Sequence, residues 1–110
     1  MLQHLFYVRF MADLVKDIRL AVDTGNVVIG TNEVMRAVNG DKAKLVIIAA
    51  KGKKQTVADI SHTCSVASVK FIKFKEGSLE LGTACGKPYS VNAVAVIEAG
   101  NSKILEEEYA

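Results

Sequence analysis

The chain is predicted to fold as an α/β protein, a three-layer α/β/α sandwich around a four-stranded mixed sheet, and three observations carry that expectation. Short apolar runs at residues 27–29, 44–50, 69–74 and 91–97 alternate with segments whose apolar residues recur every three or four positions, the pattern of strands separated by helices. The run Lys44-Leu-Val-Ile-Ile-Ala-Ala50 is apolar almost throughout, as expected of a strand covered on both faces. At 110 residues the chain suffices for one core but not two.

Composition narrows the class. Half of the residues are hydrophobic and only one is proline, which argues against disorder. No apolar run approaches the roughly 18 residues of a membrane span. Residues 1–10 are too interrupted, and lack a small-residue cleavage site, for a signal peptide. An intracellular, soluble chain with no membrane partner is therefore expected. Cys64 and Cys85 lie in apolar helical patterns and read as reduced packing residues, with no metal site and no cofactor. The formal charge of +2 is small, yet residues 1–55 carry nine basic and five acidic side chains. The basic bias thus sits in the first half.

Taken in order, residues 1–10 read as an extension, and Met11-Ala12-Asp13 as a natural start for a single domain over residues 11–110. Leu14, Val15, Ile18, Ala21 and Val22 mark an amphipathic helix closed by Thr24-Gly25. Val27-Val28-Ile29 is a short buried strand that turns at Gly30 straight into a helix carrying Val34, Ala37 and Val38 on its apolar side. With the strand at 44–50 this predicts a right-handed crossover and two parallel strands at the sheet centre. Both strands then end on one side. Gly30-Thr31 and Lys51-Gly52-Lys53-Lys54 would emerge there as neighbouring loops, at the carboxyl edge where open α/β sheets bind ligands.

Val57, Ile60, Cys64 and Ala67 mark a third helix. His62 and Cys64 are two residues apart and point to different sides, so they do not form a base and nucleophile. In the strand at 69–74, Lys70 and Lys73 suit an exposed edge. Ser78 is the expected cap of a short helix, Leu79 to Cys85, which buries Leu81, Ala84 and Cys85 and stops at Gly86 with Pro88 beyond. A strand at 91–97 and a last helix from Gly100 follow, with Ile104 and Leu105 inward and Glu106-Glu107-Glu108 outward. Those glutamates would repel phosphate.

The candidate site is the start of the second helix. Asn32, Glu33 and Arg36 share one face at helical spacing. Beside them, free backbone N–H groups and the positive dipole end favour an anion, while Gly30 lets another backbone come close. Asn32 offers a donor and an acceptor to a base edge, Arg36 a planar fork, and Glu33 only acceptors. A carboxylate next to a polyanion is repelled unless it accepts from a base N–H. The same residues admit a plainer reading, in which Glu33 complements the dipole for roughly 0.3–1 kcal/mol and pairs with Arg36, with Asn32 near the cap position. In the loop Gly86-Lys87-Pro88-Tyr89-Ser90, Tyr89 has no apolar stripe to join. It either meets a ligand or folds over the core edge.

Gly30-Thr31-Asn32-Glu33, with Arg36 following, resembles the signature of the kink-turn-binding ribosomal protein superfamily. Gly77 to Ser90, reading Gly-Ser-Leu-Glu-Leu-Gly-Thr-Ala-Cys-Gly-Lys-Pro-Tyr-Ser, and Ile97 to Leu105 are similar to the large-subunit ribosomal protein thirty family of archaea and eukaryotes. The similarity runs from about Leu14 to Leu105 without an evident gap. It implies a cytoplasmic, archaeal, non-catalytic constituent of the large subunit that binds a kink-turn in rRNA, contacts neighbouring ribosomal proteins and is a monomer outside the ribosome. It further implies that Asn32, Glu33 and Arg36 read the edges of sheared G·A pairs. Backbone N–H groups at Gly30 and Thr31, with Lys51, would take phosphate. Lys87, Pro88 and Tyr89 would pack on an extruded nucleotide, where stacking is worth roughly 1–3 kcal/mol per base.

Three positions depart from the family pattern. Asn32-Glu33 stands where that branch often has basic or hydroxyl residues, Lys51-Gly52-Lys53 replaces an Asn-x-Pro, and His62-Thr63 replaces tyrosines. The alternatives are a kink-turn-binding component of a guide ribonucleoprotein and a small α/β metabolite-binding protein or enzyme. The second finds no Gly-rich dinucleotide motif, no suitably spaced carboxylate pair and no Cys/His metal set.

Overall fold

The computed structural model describes residues 14–102 and residue 104. The extension over residues 1–10 and the expected start at Met11 lie outside them, as do Leu105 and Glu106 to Glu108. The described part of helix α1 covers residues 14–24. It is followed by β1 (Asn26–Ile29), α2 (Thr31–Asn39), β2 (Leu45–Ala49), α3 (Lys54–Ala67), β3 (Lys70–Phe74), α4 (Ser78–Ala84) and β4 (Ala93–Glu98). Of the last expected helix only residues before 103 and Ile104 are described; they form turns, and Ile104 is buried.

The four strands form one mixed sheet in the order β1-β4-β2-β3. β4 pairs antiparallel with both β1 and β2, and β3 pairs parallel with β2. The expected pair of parallel strands at the centre is therefore corrected: the two inner strands are β4 and β2, and they are antiparallel. A strand-helix-strand run constrains direction but not adjacency, and β4, from the far end of the chain, has inserted between β1 and β2. Because β1 and β2 both oppose β4, they still run the same way. Their carboxyl ends share one side of the sheet, as expected.

Side-chain alternation divides the core into two layers. On one face Leu45, Ile47, Ala49, Val94 and Val96 pack against Leu14, Ile18 and Ala21 of α1 and Leu81, Ala84 and Cys85 beside α4. On the other, Val46, Ile48, Ala93 and Ala95 pack against Val34, Ala37 and Val38 of α2 and Ile60 and Cys64 of α3. All five residues of β2 are buried, which explains its unbroken apolar run. Lys70 and Lys73 of the outer strand β3 are exposed, the charged edge that discourages further pairing.

Element ends differ by a few residues from expectation. Helix α3 begins at Lys54 rather than near Val57, and β4 begins at Ala93 rather than Val91. The expected Ser78 cap is absent: Gly77 is the N-cap of α4, no side chain caps it, and the Ser78 carbonyl instead accepts from Val91 N at 2.9 Å. The helix starts one residue earlier than expected, so Ser78 is its first residue rather than the residue in the cap position.

Both thiols are free and buried. Burial pushes the Cys64 thiol up, and pushes Cys85 up to about 11 despite the opposing charges of Lys87 and Arg19. In the folded protein Cys85 therefore keeps its proton beyond the ordinary value of 9.0. Native protein binds more protons than unfolded chain in that window, so this contribution is intact below 9.0 and is lost as pH rises towards about 11. Cys85→Ala should show a shallower decline in stability across that interval, measured by urea unfolding at stepped pH. Truncating the fully buried Ile47 to Ala should cost about 2–5 kcal/mol, whereas Lys70→Ala at the exposed edge should stay within about 0.5 kcal/mol.

Candidate nucleic-acid interface

Gly30 joins strand to helix. Its N–H donates to Ala93 O at 3.0 Å, closing the β1–β4 ladder, and its carbonyl accepts from Val34 N at 2.9 Å, opening α2. Its φ of 107° and ψ of 150° lie where side chains are strained, and no atom lies within 4 Å of where a Cβ would stand. The glycine is required by the backbone, and the space above it is open.

Gly30 is also the N-cap of α2, and no side chain caps the helix. The first backbone N–H groups of a helix have no intrahelical partner and sit at its positive end. Asn32 stands two residues past the Gly30 cap, is exposed and makes no cap hydrogen bond, while Glu33 lies in the first turn, as the plainer reading has it. Glu33 and Arg36 do pair, Nη1 donating to Oε1 at 3.4 Å, but their side chains are 54% and 79% exposed. A pair that open in water is worth little, and both groups remain accessible.

The strand order gathers the other predicted residues to the same end of the sheet. Since β4 runs opposite to β1 and β2, its start lies beside their ends: Ala93 O accepts from Gly30 N, and Asn92 O accepts from Ala49 N at 2.9 Å. The loop leading into β4, which holds Lys87, Pro88 and Tyr89, thus enters between the Gly30-Thr31 turn and the loop carrying Lys51. Lys51 is exposed, and α3 starts just beyond it with Lys53 as N-cap and Lys54 as its first residue. That helix has no side-chain cap and no acidic residue in its first turn. Two lysines at the positive end of an uncapped helix are locally unfavourable, by roughly 0.3–1 kcal/mol each, unless an anion arrives.

Tyr89 is 52% exposed, so about half of the residue remains accessible to a ligand. Its loop is nevertheless held. Gly86 N donates to Thr83 O, Lys87 N to Gly82 O and Val91 N to Ser78 O, each at 2.9 Å. A Cβ at Gly82 would overlap the Tyr89 carbonyl, so only glycine in α4 lets the loop lie this close. A partly exposed aromatic residue is thus carried by a backbone that is pinned on both sides.

Two residues at this edge were not singled out from the sequence. Asn92 is exposed, and its Oδ1 lies 3.6 Å from where a Gly52 Cβ would stand, between the two loops. Its signal was a polar residue interrupting an apolar run. Arg19 of α1 lies over Gly86, and its place in an exposed helical stripe offered no signal at all. The buried Cys64 and exposed His62 fall on different sides of α3, as their spacing indicated.

Fold and candidate site together define an α/β/α protein whose strand carboxyl edge presents two helix N-termini, lysines and the exposed Asn32, Glu33 and Arg36, with the exposed Tyr89 in the loop that enters beside them. Residues 12–106 match the Ribosomal protein L7Ae/L30e/S12e/Gadd45 family. The chain belongs to that family. It is 41% identical over 97 residues to the large ribosomal subunit protein eL30 of Methanococcus vannielii, covering 88% of this chain and 92% of that one. It is 37% identical to the protein of the same name from Methanosphaera stadtmanae, over 86% and 96% of the two chains, and 38% identical to that of Pyrobaculum neutrophilum, over 87% and 95%. Among solved structures, a Bacillus halodurans protein of unknown function superposes with a TM-score of 0.73 at 23% identity, over 84% of this chain and 91% of that one, and so shares the fold.

Two glycines give a test of this geometry. Gly30→Ala should cost about 1–3 kcal/mol of stability through backbone strain. Gly82→Ala should displace the Tyr89 loop, seen as chemical-shift changes confined to residues near 86–92 and α4 in amide NMR spectra.

Proposed function

We propose that this chain is a constituent of the large ribosomal subunit that binds a kink-turn in large-subunit rRNA and holds it in its bent form. The observation that carries the reading is the meeting, at one end of the sheet, of the exposed Asn32-Glu33-Arg36 face, the lysine-bearing start of α3 and the pinned, exposed Tyr89. Each meets a different part of a sharply bent RNA. Asn32, Glu33 and Arg36 read the exposed edges of sheared G·A pairs. The N–H groups at Gly30 and Thr31, with Lys51 and the α3 N-terminus, take phosphate, and Tyr89, between Pro88 and Ser90 and near Lys87, stacks on the unpaired nucleotide.

Because these groups stand on paired strands and capless helix starts, little of the site needs to be ordered on binding. The RNA is the flexible partner. A rigid surface that fits only the bent conformer shifts the RNA ensemble towards it by the difference in affinity between the two shapes. No bond is made or broken. The protein acts as a monomer when outside the ribosome, and in the cell it resides in the cytoplasm with the large subunit.

Binding to a kink-turn RNA and to the same RNA with its G·A pairs replaced by Watson–Crick pairs tests the reading, and a clear loss is expected for the second. Equal affinity for both would overturn it. Asn32→Ala should cost about 1–3 kcal/mol with little change in salt dependence, and Lys51→Ala should flatten the salt slope by about one unit. Tyr89→Ala should cost about 1–3 kcal/mol, and its effect should vanish when the unpaired nucleotide is replaced by an abasic linker. Co-sedimentation with large subunits, rather than with guide ribonucleoproteins, separates the two kinds of RNA partner.

A further inference from the structure

Arg19 stands outside every element considered so far as part of the site, yet the fold brings it to the site's rim. It projects from α1 over Gly86, where an added Cβ would overlap its Nη1 and Cζ atoms. The absence of a side chain at Gly86 is what lets the guanidinium lie there. Nε donates to Asp23 Oδ2 at 2.9 Å, which orients the planar group through its inner edge. The two outer nitrogens have no hydrogen-bond partner among the described residues, and the side chain is 54% exposed. Lys87, the next residue after Gly86, adds a second cation, and the charges of both bear on the same neighbour, the Cys85 thiol.

Arg19 lies over Gly86, Lys87 follows that glycine in the chain, and the exposed Tyr89 comes two residues later. We infer that the RNA surface continues past Tyr89 onto α1, where Arg19 and Lys87 grip a backbone phosphate of the strand that leaves the stacked nucleotide. This inference rests on the reading of the site as a kink-turn binder. The guanidinium fork suits a phosphate, since two outer nitrogens can donate in parallel. Asp23 plays two opposing parts: it aims the fork, and it weakens the local field that would attract the strand.

The test is a salt titration of binding to the kink-turn RNA with three variants. Arg19→Gln should bind about 3–10-fold more weakly near 0.1 M salt and show a slope about one unit flatter, while Arg19→Lys should keep the wild-type slope. Asp23→Asn should bind more tightly at low salt, an effect of opposite sign that a merely structural Arg19–Asp23 pair does not produce. It also keeps the question answerable if Arg19→Gln folds poorly. Should Arg19→Gln and Asp23→Asn both match wild type while Asn32→Ala still weakens binding, the α1 contact is wrong and the kink-turn reading stands. Should wild-type protein fail to distinguish the kink-turn from its Watson–Crick control, both fall.

Discussion

The pairing of β4 between β1 and β2 is the constraint on which the rest of the molecule depends. Two hydrogen bonds at its start, from Gly30 N to Ala93 O and from Ala49 N to Asn92 O, tie the Gly30 turn and the end of β2 to one place. If β4 were absent, β1 and β2 would have no common neighbour, and the turns that follow them would have no fixed relation. The same strand supplies inward side chains to both layers. Ala93 and Ala95 face α2 and α3, and Val94 and Val96 face α1 and α4.

A site that binds a polyanion usually announces itself through excess positive charge, and a formal +2 is a faint announcement. Here orientation does what net charge does not. Two helices, α2 and α3, start at the same sheet end without side-chain caps, so unpaired N–H groups and dipole ends add to the lysines nearby. The local cost of Lys53 and Lys54 at a positive helix end is the kind of conflict that structures retain at functional places. A single carboxylate in the midst of this, Glu33, is tolerated because it stands in water and pairs weakly with Arg36.

Most elements were legible along the chain because their signals are local. The alternation of apolar runs with helical stripes located every strand within two residues, and the unbroken run in β2 correctly marked a strand covered on both faces. Ends were less legible: α4 starts at Ser78, one residue before the expected start, so Gly77 takes the cap position, and Val91 and Asn92 lie in the loop before β4 rather than in the expected strand. The face formed by Asn32, Glu33 and Arg36 was readable because helical periodicity is a property of neighbours in sequence. The placement of Tyr89 was not, since it depends on a glycine in α4 that lets the Tyr89 backbone lie against that helix.

The amino-acid sequence by itself determined the layers, the strand and helix identities, the Gly30 turn and the polar face that follows it, because each follows from backbone preference and from periodicities of two or about 3.6 residues. The tertiary structure alone decided that β4 lies between β1 and β2, that three loops distant in the chain meet at one edge, and that Arg19 covers Gly86. Strand adjacency is a contest among all strands for the same backbone partners. Its outcome is written in the packing of the whole core and in no single segment.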